Sequence, residues 1–232
     1  MDREIGRDPA NNPAHTRILD DRGVGAGGDG QRDLEGERDE GDAGQHGAAD
    51  AADGLDIAVD GADQFTPTGL DLIKGLGRCA LREMVVARLA RRFVIVVGPG
   101  KRVTRLGEAF ADGRPMRLPV EVVPFAEPFV ARGIERLGLE PEPWCVDGRR
   151  GLTDNGNHVL DCRMDAVDDP AGLDRAIRGL PGVVGTGFFL AMADRVLEGD
   201  ASFRLIAEHV RGAVAGGVNA TSETGPRGRQ PR

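Results

Sequence analysis

Four side chains that move protons or bind anions fall within one short stretch: Asp60, Asp63, Lys74 and Glu83. Asp60 and Asp63 stand three apart, directly after Leu55, Ile57 and Val59, which alternate with Asp56 and Ala58 as in a strand. Carboxylates at a strand end accept sugar hydroxyls or exchange protons with them, though the same spacing also serves an Asx-turn. Glu83 lies among the apolar residues Ala80, Val86 and Ala87. A carboxylate facing a pocket there has a raised pKa and suits a general base; a solvated one pairs with an arginine one turn away. Lys74 precedes Gly75, Leu76 and Gly77 at a helix start. The free N–H groups and the ammonium of such a turn converge on an anion; the alternative is a surface lysine. Lys101, after Gly98-Pro99-Gly100, carries the same two readings. Lys74 and Lys101 are the only lysines in an otherwise arginine-based chain, through a need for compact ammonium groups or through codon bias.

The elements around these residues must hold them at the ends of strands. Asp60 to Thr68 reads as a loop, Leu70 to Ile73 as a short apolar piece, and Arg78 to Arg92 as a helix with Leu81, Val85 and Leu89 on its apolar face. Phe93 to Val97 is a continuous β-branched run, expected as a parallel strand covered on both faces. Charged groups at strand and helix ends are where an open α/β sheet binds ligands. From Pro119 to Phe189 the rhythm changes. PVEVVPF, PEPWCV, HVLDCRM and VVGTGFF read as strands, and Glu127–Leu137 and Pro170–Leu180 as helices. The order β-α-β-β-α-β is the split βαβ pattern of a ferredoxin-like unit. Ala191 to Leu197 and Ser202 to Ile206 are expected to return to the first sheet.

Composition narrows the function classes. The net charge of −8 lies entirely in residues 1–54, which hold fourteen acidic and six basic side chains. No basic stripe exists to neutralise phosphates, which argues against nucleic acid as a partner. No apolar run is long enough to cross a membrane, and the N-terminus has no apolar core of a signal peptide. Cys79, Cys145 and Cys162 lack metal-ligand spacing and read as reduced thiols of a cytoplasmic protein. Residues 1–54 have too few large apolar side chains to offset their ordering entropy. The cluster Gly25-Ala26-Gly27-Gly28 has neither strand before it nor periodic helix after it, as a phosphate loop requires. Asp154-Asn155-Gly156-Asn157 reads as a tight turn, and His158 as a packed or surface histidine.

In combination the motifs are more specific. DGAD at Asp60–Asp63, IKGLG at Ile73–Gly77, LRE at Leu81–Glu83, LPVEVVPFA at Leu118–Ala126, TDNGN at Thr153–Asn157 and PGVVGTGFF at Pro181–Phe189 resemble, in order and spacing, the signatures of type A ribose-5-phosphate isomerase. The resemblance covers roughly residues 55 to 206. It implies an α/β fold: a Rossmann-like parallel-sheet domain with an inserted ferredoxin-like (βαββαβ) α+β lid. It implies interconversion of D-ribose 5-phosphate and D-ribulose 5-phosphate through a cis-enediolate, in the pentose phosphate pathway, without metal or cofactor. Glu83 would be the catalytic base. Asp60, Gly61, Ala62, Asp63, Lys74, Gly75, Leu76, Gly77 and Lys101 would bind the substrate, a small pentose phosphate. A cytoplasmic homodimer is implied, with no nucleic-acid or membrane partner.

The chain departs from the family pattern at Leu76, where the turn normally carries glycine, and at Gln64 and Met84. No GTGST-type phosphate loop is recognisable in residues 1–54, so a non-catalytic or degenerate sugar-phosphate-binding homologue is the alternative. The expected organisation is 1–54 disordered or translated out of frame, 55–118 catalytic core, 119–190 lid, 191–211 return to the core, and 212–232 a disordered tail.

Overall fold

A computed structural model describes residues 54–212 and the backbone of Arg17–Leu19. The remaining expectations for residues 1–54 and for the tail lie outside the described residues. Two sheets dominate. The first has the order β1-β2-β5-β13-β14, formed by Arg17–Leu19, Ile57–Asp60, Phe93–Val97, Arg195–Gly199 and Leu205–Val210. Its three central strands are parallel, and an antiparallel strand closes each end. Thus β1, within the segment expected to lack structure, pairs with β2 and sets Ile18 opposite Ala58.

The second sheet is antiparallel. It is built from Met116–Val122 (β6), Glu140–Pro143 (β7), His158–Met164 (β10) and Val183–Thr186 (β11), in the order β11-β6-β10-β7. Helices Glu127–Arg136 (α2) and Pro170–Arg178 (α3) complete the βαββαβ unit. The alternation that makes β6 a strand puts Leu118, Val120 and Val122 into one apolar core with Val130 and Ile134 of α2 and Ile177 of α3. Helix α3 starts where the Asp169 side chain accepts the Gly172 N–H at 2.8 Å, with Pro170 in its first turn. Pro119 is tolerated inside β6 because the ladder with β11 ends at Thr186, opposite Val120. A two-stranded ribbon, Cys145–Val146 (β8) with Arg149–Arg150 (β9), projects from this unit.

Four of the expected elements differ in detail. Within Asp60 to Thr68, Gln64–Phe65 (β3) is a strand; it pairs with Leu72–Ile73 (β4) because the turn between them closes through Thr66 and Asp71. VVGTGFF is two strands in two sheets: Gly187 breaks it, and Phe188–Phe189 (β12) pairs with β4. The helix is shorter, Ala80–Leu89 (α1), and it buries Glu83, Met84 and Ala87, while Val85 is exposed. Apolar residues occur on both sides of α1, so spacing alone does not select the buried face. In β5, Phe93, Ile95 and Val97 are buried but Val96 is half exposed, so cover on both faces is not seen among the described residues.

Candidate active site

The parallel sheet delivers Asp60 as the last residue of β2, and the chain turns at once through Gly61 and Ala62 to Asp63. β4 delivers Lys74 one residue beyond its end. The turn after it is shaped by close packing. Gly75 has φ +99°, and a Cβ there would lie 2.6 Å from Ala80 Cβ, so only glycine fits. Gly187 lets two backbones touch: Lys74 N–H donates to Gly187 O at 2.9 Å, and Gly187 N–H donates to Pro119 O at 2.8 Å. The TGFF segment therefore fixes the height of Lys74 against the second sheet. Helix α1 then carries Glu83 back towards the lysine.

The three charges meet. Lys74 Nζ lies 2.9 Å from Asp60 Oδ2 and 3.2 Å from Glu83 Oε2, and it donates to Gly61 O at 2.5 Å. Asp60, Lys74 and Glu83 are 4%, 2% and 5% exposed. Asp60 Oδ1 takes the Gly61 N–H at 2.7 Å. Asp60 Oδ2 and Glu83 Oε2 are buried at ion-pair distance from the ammonium, yet neither receives a well-directed hydrogen bond. One cation thus serves two buried carboxyl groups. Burial raises the pKa of Glu83 and outweighs the lowering by Lys74; Asp60 and Asp63 add to the rise. Asp63 is also raised by burial, against the Leu76 N–H that it accepts at 3.2 Å and the nearby cations Lys101, Lys74 and Arg78.

A cleft of about 500 Å³ opens above this cluster. Gly61, Ala62, Asp63, Lys74, Gly75, Leu76, Gly77, Glu83 and Lys101 all line it. Asp60 sits behind Lys74 rather than in the wall. The Leu76 amide, one of the turn donors considered for an anion, is committed to Asp63. Phe110, Asp112 and Arg114 also line the cleft and were not anticipated, since they belong to a segment without periodicity. Among the described residues no group of three His, Cys, Asp or Glu side chains is placed to hold a metal ion.

The second sheet grips this site from the side. Arg78, next after the turn and at φ +70°, makes a two-pronged pair with Asp161 of β10 and lies 5.0 Å from the centre of the Trp144 ring. Arg82 of α1 reaches Asp154 at 3.1 Å and Asn155 at 3.3 Å. That turn is held in place by buried Glu121, which accepts from Thr153 at 3.0 Å and Asn157 at 2.8 Å. Thus the TDNGN turn positions α1, a role its sequence did not disclose.

A parallel α/β sheet, a βαββαβ unit joined to it, and a lysine between two buried carboxylates define a two-unit α/β protein with a charged cleft at the ends of its strands. The chain belongs to the ribose 5-phosphate isomerase A (phosphoriboisomerase A) family, whose model matches residues 43–202. It is 46% identical over 151 residues to ribose-5-phosphate isomerase A of Thermomicrobium roseum, covering 65% of this chain and 61% of the relative. It is 45% identical over 153 residues to that of Trichormus variabilis, covering 65% and 62%. The chain therefore spans about three fifths of the length of these curated relatives. Among solved structures, ribose 5-phosphate isomerase A of Methanocaldococcus jannaschii superposes with TM-score 0.61 at 36% identity, covering 68% of this chain and 67% of that one. A D-ribose-5-phosphate isomerase in complex with phospho-erythronic acid gives 0.62 at 30% identity, covering 68% and 66%.

Proposed function

We propose that the protein interconverts D-ribose 5-phosphate and D-ribulose 5-phosphate. The observation that carries this reading is Lys74 set between Asp60 and Glu83 at the floor of the cleft. Glu83, as carboxylate, takes the proton from C2 of the open-chain aldose and returns it to C1, while the hydroxyl proton passes between O2 and O1. A base with a pKa above the ordinary carboxylate range is better matched to a weakly acidic carbon. The Lys74 ammonium stabilises the enediolate oxygen as charge develops there, in a site that burial keeps at low dielectric. Asp60 fixes Lys74. Asp63, whose pKa is also raised, holds sugar hydroxyls and exchanges a proton with the ring oxygen during opening. Gly61, Ala62 and the turn Gly75–Gly77 form the wall against which the sugar lies, and Lys101 meets its far end.

Residues 55–118 and 191–211 act as the catalytic core and 119–190 as the lid in this reading. A cytoplasmic homodimer is part of it. Its support is that Cys79, Cys145 and Cys162 are free thiols, and that Val123, Phe125 and Phe129 form an exposed apolar groove with Pro181. A monomer in sedimentation would remove the dimer.

The test is conversion of D-ribose 5-phosphate by the full chain and by Glu83→Gln. The expected result is turnover that falls by about 10²–10⁴-fold in the variant, with the fold intact by circular dichroism. A folded Glu83→Gln with undiminished turnover refutes the role of the base. A wild-type chain that binds pentose phosphate without converting it refutes the enzyme and leaves a binding protein.

A further inference from the structure

Among the described residues, Lys74, Lys101 and Arg114 are the cations that line the cleft. Lys74 lies at the floor, at ion-pair distance from two carboxylates and donating to the Gly61 carbonyl, so its charge is already offset there. A sugar phosphate that enters the cleft passes Asp63 and Glu83, which repel its phosphate, so among the described residues the attraction comes from Lys101 and Arg114. Both stand at one aromatic ring, with Lys101 Nζ 5.8 Å and Arg114 Cζ 5.2 Å from the centre of Phe110.

The segment that presents Arg114 is built rather than loose. Gln64, fully buried and one residue past Asp63, accepts the Gly107 N–H at 2.9 Å and donates to Glu108 O at 2.6 Å. The turn beyond closes on itself: Phe110 N–H donates to Arg114 O at 2.9 Å and Gly113 N–H to Phe110 O at 2.8 Å. Asp112 accepts Arg114 N–H at 3.0 Å and Arg114 Nε at 2.6 Å. Both Asp112 oxygens are thereby occupied by Arg114, which offsets the repulsion that Asp112 would otherwise exert at the rim. The terminal guanidinium nitrogens of Arg114 have no partner among the described residues, and their planar geometry matches two phosphate oxygens.

We infer that Arg114, braced by Asp112 and Phe110 and acting with Lys101, binds the phosphate of the sugar-phosphate substrate. This rests on the isomerase reading above. Gln64 then has a task as well: it couples the acidic loop that holds the sugar to the segment that holds the phosphate.

The experiment compares the full chain with Arg114→Ala and Arg114→Lys in two measurements. In the first, binding of inorganic phosphate is followed by calorimetry. Arg114→Ala weakens it by about tenfold, the worth of one charge-assisted contact at a solvated rim, and Arg114→Lys recovers part of the loss. In the second, steady-state kinetics with D-ribose 5-phosphate show KM rising more than kcat falls. Unchanged phosphate affinity in Arg114→Ala overturns the inference, as does a fall in kcat at constant KM. A wild-type chain that binds phosphate but does not turn over would sink the isomerase reading alone, since the calorimetric comparison still decides the role of Arg114.

Discussion

Replacing Lys74 by Met keeps the length and most of the bulk of the stem and deletes the only charge between Asp60 and Glu83. The two contacts, at 2.9 and 3.2 Å, are each worth about 5 kcal/mol of gross attraction at an effective dielectric constant of about 20. Most of that only offsets desolvation of the ions. The net cost of removing one partner from a buried pair is about 3–5 kcal/mol, because the other charge stays buried and unpaired. Here two carboxylates are stranded, so the upper end of that range is expected. The loss depends on pH with a definite sign. Glu83 already has a raised pKa, from burial against the opposing ammonium, and loss of Lys74 raises it further. An acid whose pKa is higher folded than unfolded binds more protons in the folded state, so stability falls as pH rises from the unfolded towards the folded value. Lys74→Met should be most destabilised at mildly alkaline pH and recover as the pH drops into the ordinary carboxylate range. Adding Glu83→Gln should restore part of the loss at alkaline pH, as coupled neighbours do. Urea unfolding of wild type, single and double variants at two pH values measures this. A loss below about 1 kcal/mol, the worth of an exposed ion pair, and indifferent to pH, would mean that the cluster is solvated and that the electrostatic account of the site is wrong.

Two further outcomes follow from the same geometry. Gly187→Ala places a Cβ into Lys74 O and 2.8 Å from Pro119 Cδ, so it should cost about 1–3 kcal/mol by overpacking and lower turnover by shifting Lys74. Gly98→Ala, with open space around its Cβ, is the control, and equal behaviour of the two in thermal melts would refute the packing argument. The acid limb of kcat/KM for ribose 5-phosphate should lie above the ordinary carboxylate range, since Glu83 must lose its proton to act and burial raises its pKa. A limb at the usual carboxylate position would remove Glu83 as the titrating base.

The parts of the site that sequence disclosed are those that lie close along the chain. Asp60, Asp63, Lys74 and Glu83 fall close to strand and helix ends that short turns bring together; type and spacing left each with a second reading, and the resemblance of the combined motifs chose between them. The unit βαββαβ was legible because its strands and helices alternate with clear periods. What remained hidden depends on contacts between distant segments. Arg114 and Phe110 reach the cleft only because Gln64 anchors their loop across forty-odd positions of sequence, and a buried glutamine looks like any polar residue until its partners are known. The face of α1 was misjudged because Leu81, Val85 and Leu89 repeat as well as Met84 and Ala87 do; the choice is made by the sheet and by Lys74. VVGTGFF has the composition of one strand, and its division follows from the close approach of Gly187 to Lys74, which composition does not encode.

Trp144 is the sole tryptophan, and the chain has no tyrosine. Its half-buried ring lies over the Arg78 guanidinium, and Arg78 follows directly on the turn that carries Lys74. The emission of the whole protein therefore arises from one indole, at the seam between the ferredoxin-like unit and the turn that carries Lys74. A cation against an indole alters its emission, so any movement of that turn on ligand entry, or any loosening of the Arg78–Asp161 pair, is reported without a label. The molecule carries its own optical gauge of whether the two units are engaged.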